Sequence, residues 1–194
     1  MTLLEWIEIL AVGFSAVQVV LAGQNKISNY IFGIVGTVLT TWIFFSTKLY
    51  AEMLLNTYYA VMSVYGYYQW KWGKNHETLP ISTAQPRDWG FSLFIVLSSF
   101  GLFYAVLSSF TDSDVPLADA IVSALAWAGM WLMARRKIEN WLILNLSNLI
   151  SIPLLFHKDL KLYAFYTIFL FVMGIVGFLK WRKILQTQHS NELE

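Results

Sequence analysis

Long apolar runs separated by short polar segments cover almost the whole chain. A helix that crosses the hydrocarbon core of a bilayer needs about 20 mostly apolar residues, and the sequence offers seven such runs. The runs lie at residues 5–22, 28–47, 49–70, 89–110, 115–134, 139–157 and 161–181. This pattern predicts an all-α integral membrane protein with seven transmembrane helices.

Composition agrees with a membrane protein and removes several other classes. Of the 194 residues, 57% are hydrophobic and only 13% are charged, which is more apolar surface than a water-soluble domain can bury. Cysteine is absent, so disulfides and thiolate metal sites are ruled out. The three histidines lack the spacing of metal ligands. We therefore expect no metal, no cofactor and no nucleic-acid partner.

The cations divide unevenly between the two sides that seven spans would define. Ten of the 13 Lys and Arg residues fall on one side, and Lys48, Lys158 and Lys161 fall on the other. Because basic residues concentrate in cytoplasmic loops, the division predicts an outside N-terminus and an inside C-terminus. Glu5 and Glu8 stand where a signal peptide would be basic, so we interpret the first run as a helix.

The second half of the chain repeats a pattern of the first half 111 residues later. The segments that recur are Ile27-Ser28-Asn29-Tyr30 with Ile138-Glu139-Asn140-Trp141, Gly66 with Gly177, and Trp70 with Trp181. The triplet Leu49-Tyr50-Ala51 returns as Leu162-Tyr163-Ala164 at an offset of 113, which predicts a two-residue insertion near residues 157–159. Chance convergence of helix ends on aromatic residues is the alternative explanation.

The repeat predicts a particular arrangement of helices. Units 1–72 and 115–183 each hold three spans, and an odd number of spans reverses the direction of the chain. The two units can share one orientation only if a further span, the helix at 89–110, connects them. The sequence thus predicts a 3+1+3 parallel pseudo-repeat, as in SWEET-like transporters. Residues 1–183 would form a single transporter domain and residues 184–194 a cytoplasmic tail.

Polar side chains at membrane depth are costly and usually functional, and the sixth span is the richest in them. Trp141, Asn145 and Asn148 stand at positions i, i+4 and i+7, on one face of the helix. An indole and two carboxamides suit a planar, heteroaromatic, hydrogen-bonding ligand. The alternative is that the two carboxamides join neighbouring helices.

Other spans contribute further candidates for a substrate site. The third span carries three on one face, and the same alternative of interhelical hydrogen bonding applies to its carboxamide. The remaining candidates lie on the first, fifth and seventh spans. These residues are Asn56, Tyr59 and Ser63, then Gln18, Trp127, Tyr163 and Tyr166.

Missing features also discriminate between functions. No Walker sequence is present, and no Asp, Glu, Lys or Arg stands at the centre of a predicted span. Facilitated diffusion is therefore the simplest transport mechanism. A membrane scaffold or receptor subunit without transport is the alternative from another class. An enzyme is the weakest hypothesis, because no nucleophile and base lie together at membrane depth.

Several motifs together resemble one known family. They are Lys48-Leu49-Tyr50-Ala51-Glu52-Met53, Tyr58-Tyr59 with Tyr65-Gly66-Tyr67-Tyr68-Gln69-Trp70, Lys137-Ile138-Glu139-Asn140-Trp141, and Lys161-Leu162-Tyr163 followed by Gly177 and Trp181. These are similar to the PnuC family of bacterial vitamin transporters, over nearly all of residues 1–183. The resemblance implies a homotrimeric, SWEET-like facilitator of the inner membrane, and a cytoplasmic kinase that traps the imported vitamin.

The resemblance also bears on which vitamin is carried. Members that carry nicotinamide riboside usually have a second Trp soon after Trp141, where this chain has Leu144-Asn145, and a Gln in place of Asn56. Nicotinamide riboside is the first hypothesis, because it is the commonest substrate of the family. Thiamine is the second, since its aminopyrimidine edge would use an added Asn, and riboflavin is a further alternative.

Overall fold

The structure, a computed structural model, describes residues 3–47, 50–73, 79–111 and 114–191. Lys48, Leu49 and the inner-side cation Lys74 lie outside the described residues. Within the described ranges the chain forms seven helices and no strand. The helices are α1 (Leu3–Gly23), α2 (Asn29–Ser46), α3 (Tyr50–Lys71), α4 (Pro86–Phe110), α5 (Pro116–Ala134), α6 (Asn140–His157) and α7 (Lys161–Asn191).

Five of these helices, α1, α2, α4, α5 and α7, are long and apolar enough to cross a membrane by length and composition. The two others, α3 and α6, have 22 and 18 residues, so length does not set them apart. Their polarity does, since α6 carries Asn140, Asn145 and Asn148 and α3 carries Asn56 among several tyrosines. The two helices richest in site candidates are therefore the two that are not candidate spans by length and composition.

The helix bounds correct the predicted insertion. Helix α2 ends at Ser46 and α3 begins at Tyr50, while α6 ends at His157 and α7 begins at Lys161, so both connections keep the offset of 111. The amide of Thr47 donates to the carbonyl of Ile43 at 2.9 Å, and that of Lys158 donates to Leu154 at 3.0 Å, at the same offset. The recurrence of Leu-Tyr-Ala at 113 is thus a coincidence of sequence.

Helix α7 is longer than predicted. It was expected to end near residue 181 but continues to Asn191, so most of the predicted tail is helical. Residues such as Lys183, Leu185 and Gln186 favour a helix by propensity alone, even where the chain is no longer apolar. Hydropathy therefore predicts where the apolar span ends, but it does not predict how far the helix continues beyond it.

The chain divides into two compact units, Met1–Pro80 and Ile81–Glu194. In the first unit, α2 packs against both α1 and α3. In the second unit, α6 packs against both α5 and α7, and α4 packs against α5. The helix that was expected to link the repeats therefore belongs to the second compact unit.

The turns before α2 and before α6 have the same backbone geometry. Asn25 and Arg136 have left-handed backbone angles, with φ of 58° and 55°. The amide of the following lysine then donates to the carbonyl five residues back, at 3.0 Å for Lys26 and 2.9 Å for Lys137, which closes the end of the preceding helix. Asn tolerates this conformation better than Arg, so the turn in the second unit carries more backbone strain.

Candidate functional site

Trp141 lies at the contact between α6 and α7. Its side chain is 1% exposed, and its ring covers Gly177, where an added Cβ would lie 2.7 Å from the indole. The ring meets Trp181 edge to face, with centroids 5.6 Å apart. The indole N–H is buried without an acceptor among the described residues. Packing of the two helices therefore accounts for the position of Trp141.

Asn145 lies one turn further along the same face. Its side chain is half-buried and fills the space that a Cβ on Gly174 would need. Its Oδ1 is buried and accepts no hydrogen bond from the described residues. A buried carboxamide oxygen without a donor costs free energy, so packing alone does not explain a carboxamide at this position.

Asn148 completes the predicted face of α6. The side chain is half-buried, and no described residue forms a hydrogen bond with it. The hydroxyl of the preceding residue, Ser147, donates to the carbonyl of Val122 at 2.8 Å. The carboxamide of Asn148 thus has both its donors and its acceptor uncommitted within the described residues. Asn145 and Asn148 thus each keep polar atoms without a partner among the described residues, as does the indole of Trp141.

Asn56 has a different environment in the first unit. Its amide nitrogen donates to the carbonyl of Thr37 and to the hydroxyl of Thr41, both at 2.8 Å. The interhelical hydrogen bond that the sequence left open as an alternative is therefore what the amide of Asn56 makes. Ser63, on the same face of α3, is fully buried, and its hydroxyl has no partner among the described residues.

The other candidates are dispersed over both units. Gln18 lies across Gly33 of α2, and Tyr59 is half-buried with its ring edge-to-face on Tyr58. Trp127 packs edge-to-face on Phe103 of α4, at 4.7 Å between centroids. On α7, Tyr163 is 39% exposed and Tyr166 is stacked on Phe169. Among the candidates, Trp141 and Asn145 lie together, since each contacts a glycine of α7.

One polar cluster was not predicted from the sequence. Lys137 Nζ lies 3.1 Å from Asp88 Oδ2, and the two side chains are only 11% and 9% exposed. The residues are far apart in sequence, so no local spacing reveals the pair. One signal existed, since Gln85, Pro86 and Asp88 form a capping sequence at the start of α4.

With this geometry established, the chain can be compared with known proteins. The sequence profile of the family described as nicotinamide mononucleotide transporter matches residues 5–183. The chain belongs to this family. The nicotinamide riboside transporter PnuC of Escherichia coli is 28% identical over 176 residues, 77% of this chain and 73% of that protein. PnuC of Neisseria mucosa is 26% identical over 97% of this chain and 76% of its own length.

A solved structure also resembles this member of the nicotinamide mononucleotide transporter family. The crystal structure of the vitamin B3 transporter PnuC matches with a TM-score of 0.73 over 94% of this chain and 83% of that chain. At 22% sequence identity the likeness shows the fold. Membership in the family confirms the predicted multi-pass membrane transporter, in place of an enzyme or a scaffold.

Proposed function

We propose that this protein carries nicotinamide riboside across the bacterial inner membrane by facilitated diffusion. The relatives that it matches over most of their length are named nicotinamide riboside transporters. The family description names the mononucleotide instead, which differs by one phosphate. A phosphate at membrane depth calls for Lys or Arg, and no span has either at its centre. The unphosphorylated vitamin therefore fits better.

One observation carries the proposed site. The Oδ1 of Asn145 is buried without a donor, and the carboxamide of Asn148 lies on the same face without a partner among the described residues. A vitamin with amide or amine hydrogens would donate to Oδ1 of Asn145. The carboxamide of Asn148 could bind either donors or acceptors of the vitamin. Trp141 lies one turn before Asn145, near the start of α6. We infer that the two Asn residues supply the hydrogen bonds to the vitamin.

Thiamine is a second candidate, and the two carboxamides are the observation that favours it. A stacking residue expected from the nicotinamide riboside pattern is replaced at Leu144-Asn145. An aminopyrimidine presents a donor beside an acceptor, which pairs with a carboxamide in two places. Riboflavin is a third member of the panel to be tested.

The proposal includes an arrangement in the membrane. We place α1–α3 and α5–α7 as parallel repeats joined by α4, with the N-terminus outside. Matching turns at residues 24–28 and 135–139 support the repeat, and the distribution of cations supports the orientation. A homotrimer and a cytoplasmic kinase that phosphorylates the imported vitamin belong to the same proposal.

Uptake into liposomes tests the function. Purified protein is reconstituted, and entry of labelled nicotinamide riboside, nicotinamide mononucleotide, thiamine and riboflavin is compared with entry into empty vesicles. We expect nicotinamide riboside to equilibrate without accumulation, whether or not proton and sodium gradients are present. If none of the four compounds enters faster than into empty vesicles, the transporter proposal is wrong.

Binding measurements test the site. Asn145→Ala and Asn148→Ala should each weaken ligand binding by about 1–3 kcal/mol, because a polar group of the buried ligand loses its partner. Ser98→Ala is the matched control, since this exposed hydroxyl bonds only within α4, to the carbonyls of Phe94 and Ile95. Equal affinities for all three folded variants in calorimetry would exclude the assignment.

A further inference from the structure

The chain just before α4 is bound to the turn between α5 and α6. Ser82 pairs with Lys137 as an isolated parallel bridge: its amide donates to Arg136 at 3.2 Å, and the amide of Ile138 donates back to Ser82 at 3.0 Å. The amide of Ala84 donates to Glu139 Oε2 at 2.8 Å. We call residues 81–85 the strap.

A buried ion pair fastens the strap at its far end. Lys137 donates to the carbonyl of Thr83 and contacts Asp88 Oδ2, both at 3.1 Å. The same Asp88 oxygen accepts the amide of Gln85 at 3.0 Å, and Arg135 lies 3.8 Å from the other oxygen. One carboxylate therefore joins the start of α4 to the α5–α6 turn. Breaking such a pair leaves a buried charge uncompensated.

The corresponding turn of the first unit lacks this fastening. Lys26 occupies the position of Lys137 but is exposed and has no ion pair among the described residues. Ser28 stands where the second unit has Glu139, so no carboxylate is available to accept an amide. The two turns share a backbone conformation, which makes Lys26 a matched reference for Lys137.

We propose that the strap makes α4, α5 and α6 one body that moves together, and that it stays closed throughout the transport cycle. This proposal rests on the proposed function, because α6 carries Asn145 and Asn148. Opening the strap would break an ion pair and several hydrogen bonds, and any such barrier slows the cycle exponentially. Helix α4 is thereby assigned to the body that carries the proposed binding face.

Cross-linking tests whether the strap opens. The chain has no cysteine, so Ala84→Cys combined with Glu139→Cys introduces the only thiols, and a short bismaleimide can join them. We expect efficient cross-linking, with the same vitamin uptake before and after it. Loss of uptake on cross-linking, with the cysteine-free parent unaffected by the reagent, would show that the strap must open. Failure to cross-link the folded protein would equally contradict the proposal.

A pair of lysine variants tests the fastening. Lys137→Met should lower the uptake rate at saturating vitamin while the equilibrium affinity in detergent is unchanged, because the lysine side chain bonds to Thr83 and Asp88 and to neither Asn of the proposed site. Lys26→Met should change neither quantity. Equal effects of the two substitutions, or an unchanged rate for Lys137→Met, would refute the role of the strap. A parent that carries none of the vitamins refutes the proposed function instead, so the two failures are distinguishable.

Discussion

The two units pack an aromatic pair in the same way but place their polar groups differently. Tyr30 meets Trp70 at 5.1 Å and 89° in the first unit, and Trp141 meets Trp181 at 5.6 Å and 89° in the second. In both, a glycine of the third repeat helix lies against the first ring. One turn further on, Asn145 lies against Gly174 in the second unit, and the residues 111 positions earlier are Ile34 and Ser63. The aromatic packing is thus the same in the two units, whereas the buried polar side chain is on α3 in the first unit and on α6 in the second.

A hydroxyl shows the same exchange. Ser15 donates to Ala11 within α1 at 2.9 Å, whereas Ser147 of α6 donates to Val122 of α5 at 2.8 Å. Ala11 and Val122 are 111 residues apart, so equivalent carbonyls are satisfied locally in one unit and between helices in the other. The second unit therefore holds α5 and α6 together with a bond that the first unit lacks. The aromatic pairs are thus common to the two units, and the polar groups differ between them.

The largest expected effect comes from removing one member of an aromatic pair. Trp70→Ala and Trp181→Ala should each cost about 3–5 kcal/mol of stability, because both rings are buried and leave a cavity. Trp42→Ala is the control, since this ring is 58% exposed. Unfolding in mixed detergent micelles measures the difference. A loss confined to one of the two units would show that the aromatic frames are not equivalent.

The glycines opposite the rings provide the next test. Gly66→Ala and Gly177→Ala should destabilise by about 1–3 kcal/mol through overpacking, because the new methyl groups overlap the rings of Tyr30 and Trp141. Gly101→Ala has no atom within 4 Å of its new Cβ and should be neutral or slightly stabilising, since Ala favours a helix. If Gly101→Ala is as harmful as the other two, ring contact is not the cause.

These comparisons also show what the sequence could reveal. The seven helices and the register of 111 were predictable, because apolar runs and the Asn-aromatic motifs at Asn29 and Asn140 are local signals. The partners of Asn56 and the pair between Lys137 and Asp88 were not, since they join residues 15 or more positions apart and have no periodic signature. The false insertion arose because Leu-Tyr-Ala is short enough to recur by chance.

A smaller effect is expected from the interhelical bond of the first unit. Asn56→Ala removes the donor to Thr37 and Thr41 and should cost about 1 kcal/mol, typical of such bonds in membranes. Thr57→Ala is its neighbour control, because the exposed Thr57 hydroxyl bonds only to Met53 in its own helix. Calorimetry on the same proteins distinguishes a structural role of Asn56 from a role in binding. A structural role lowers stability and leaves vitamin affinity unchanged.

The smallest effect on stability is expected from Asn145→Leu, which should nevertheless weaken vitamin binding. Asn145→Leu replaces a half-buried carboxamide with an apolar group of similar shape, as Ile34 is in the first unit. Because Oδ1 has no donor to lose, stability should change by less than about 1 kcal/mol, and an increase is the expected sign. Vitamin binding should nevertheless weaken by about 1–3 kcal/mol, as for Asn145→Ala. Stability is read from unfolding in micelles and binding from calorimetry on one preparation. A large loss of stability would instead show that Asn145 is needed for packing. The polar difference between the two units would then have a structural cause and no role in binding.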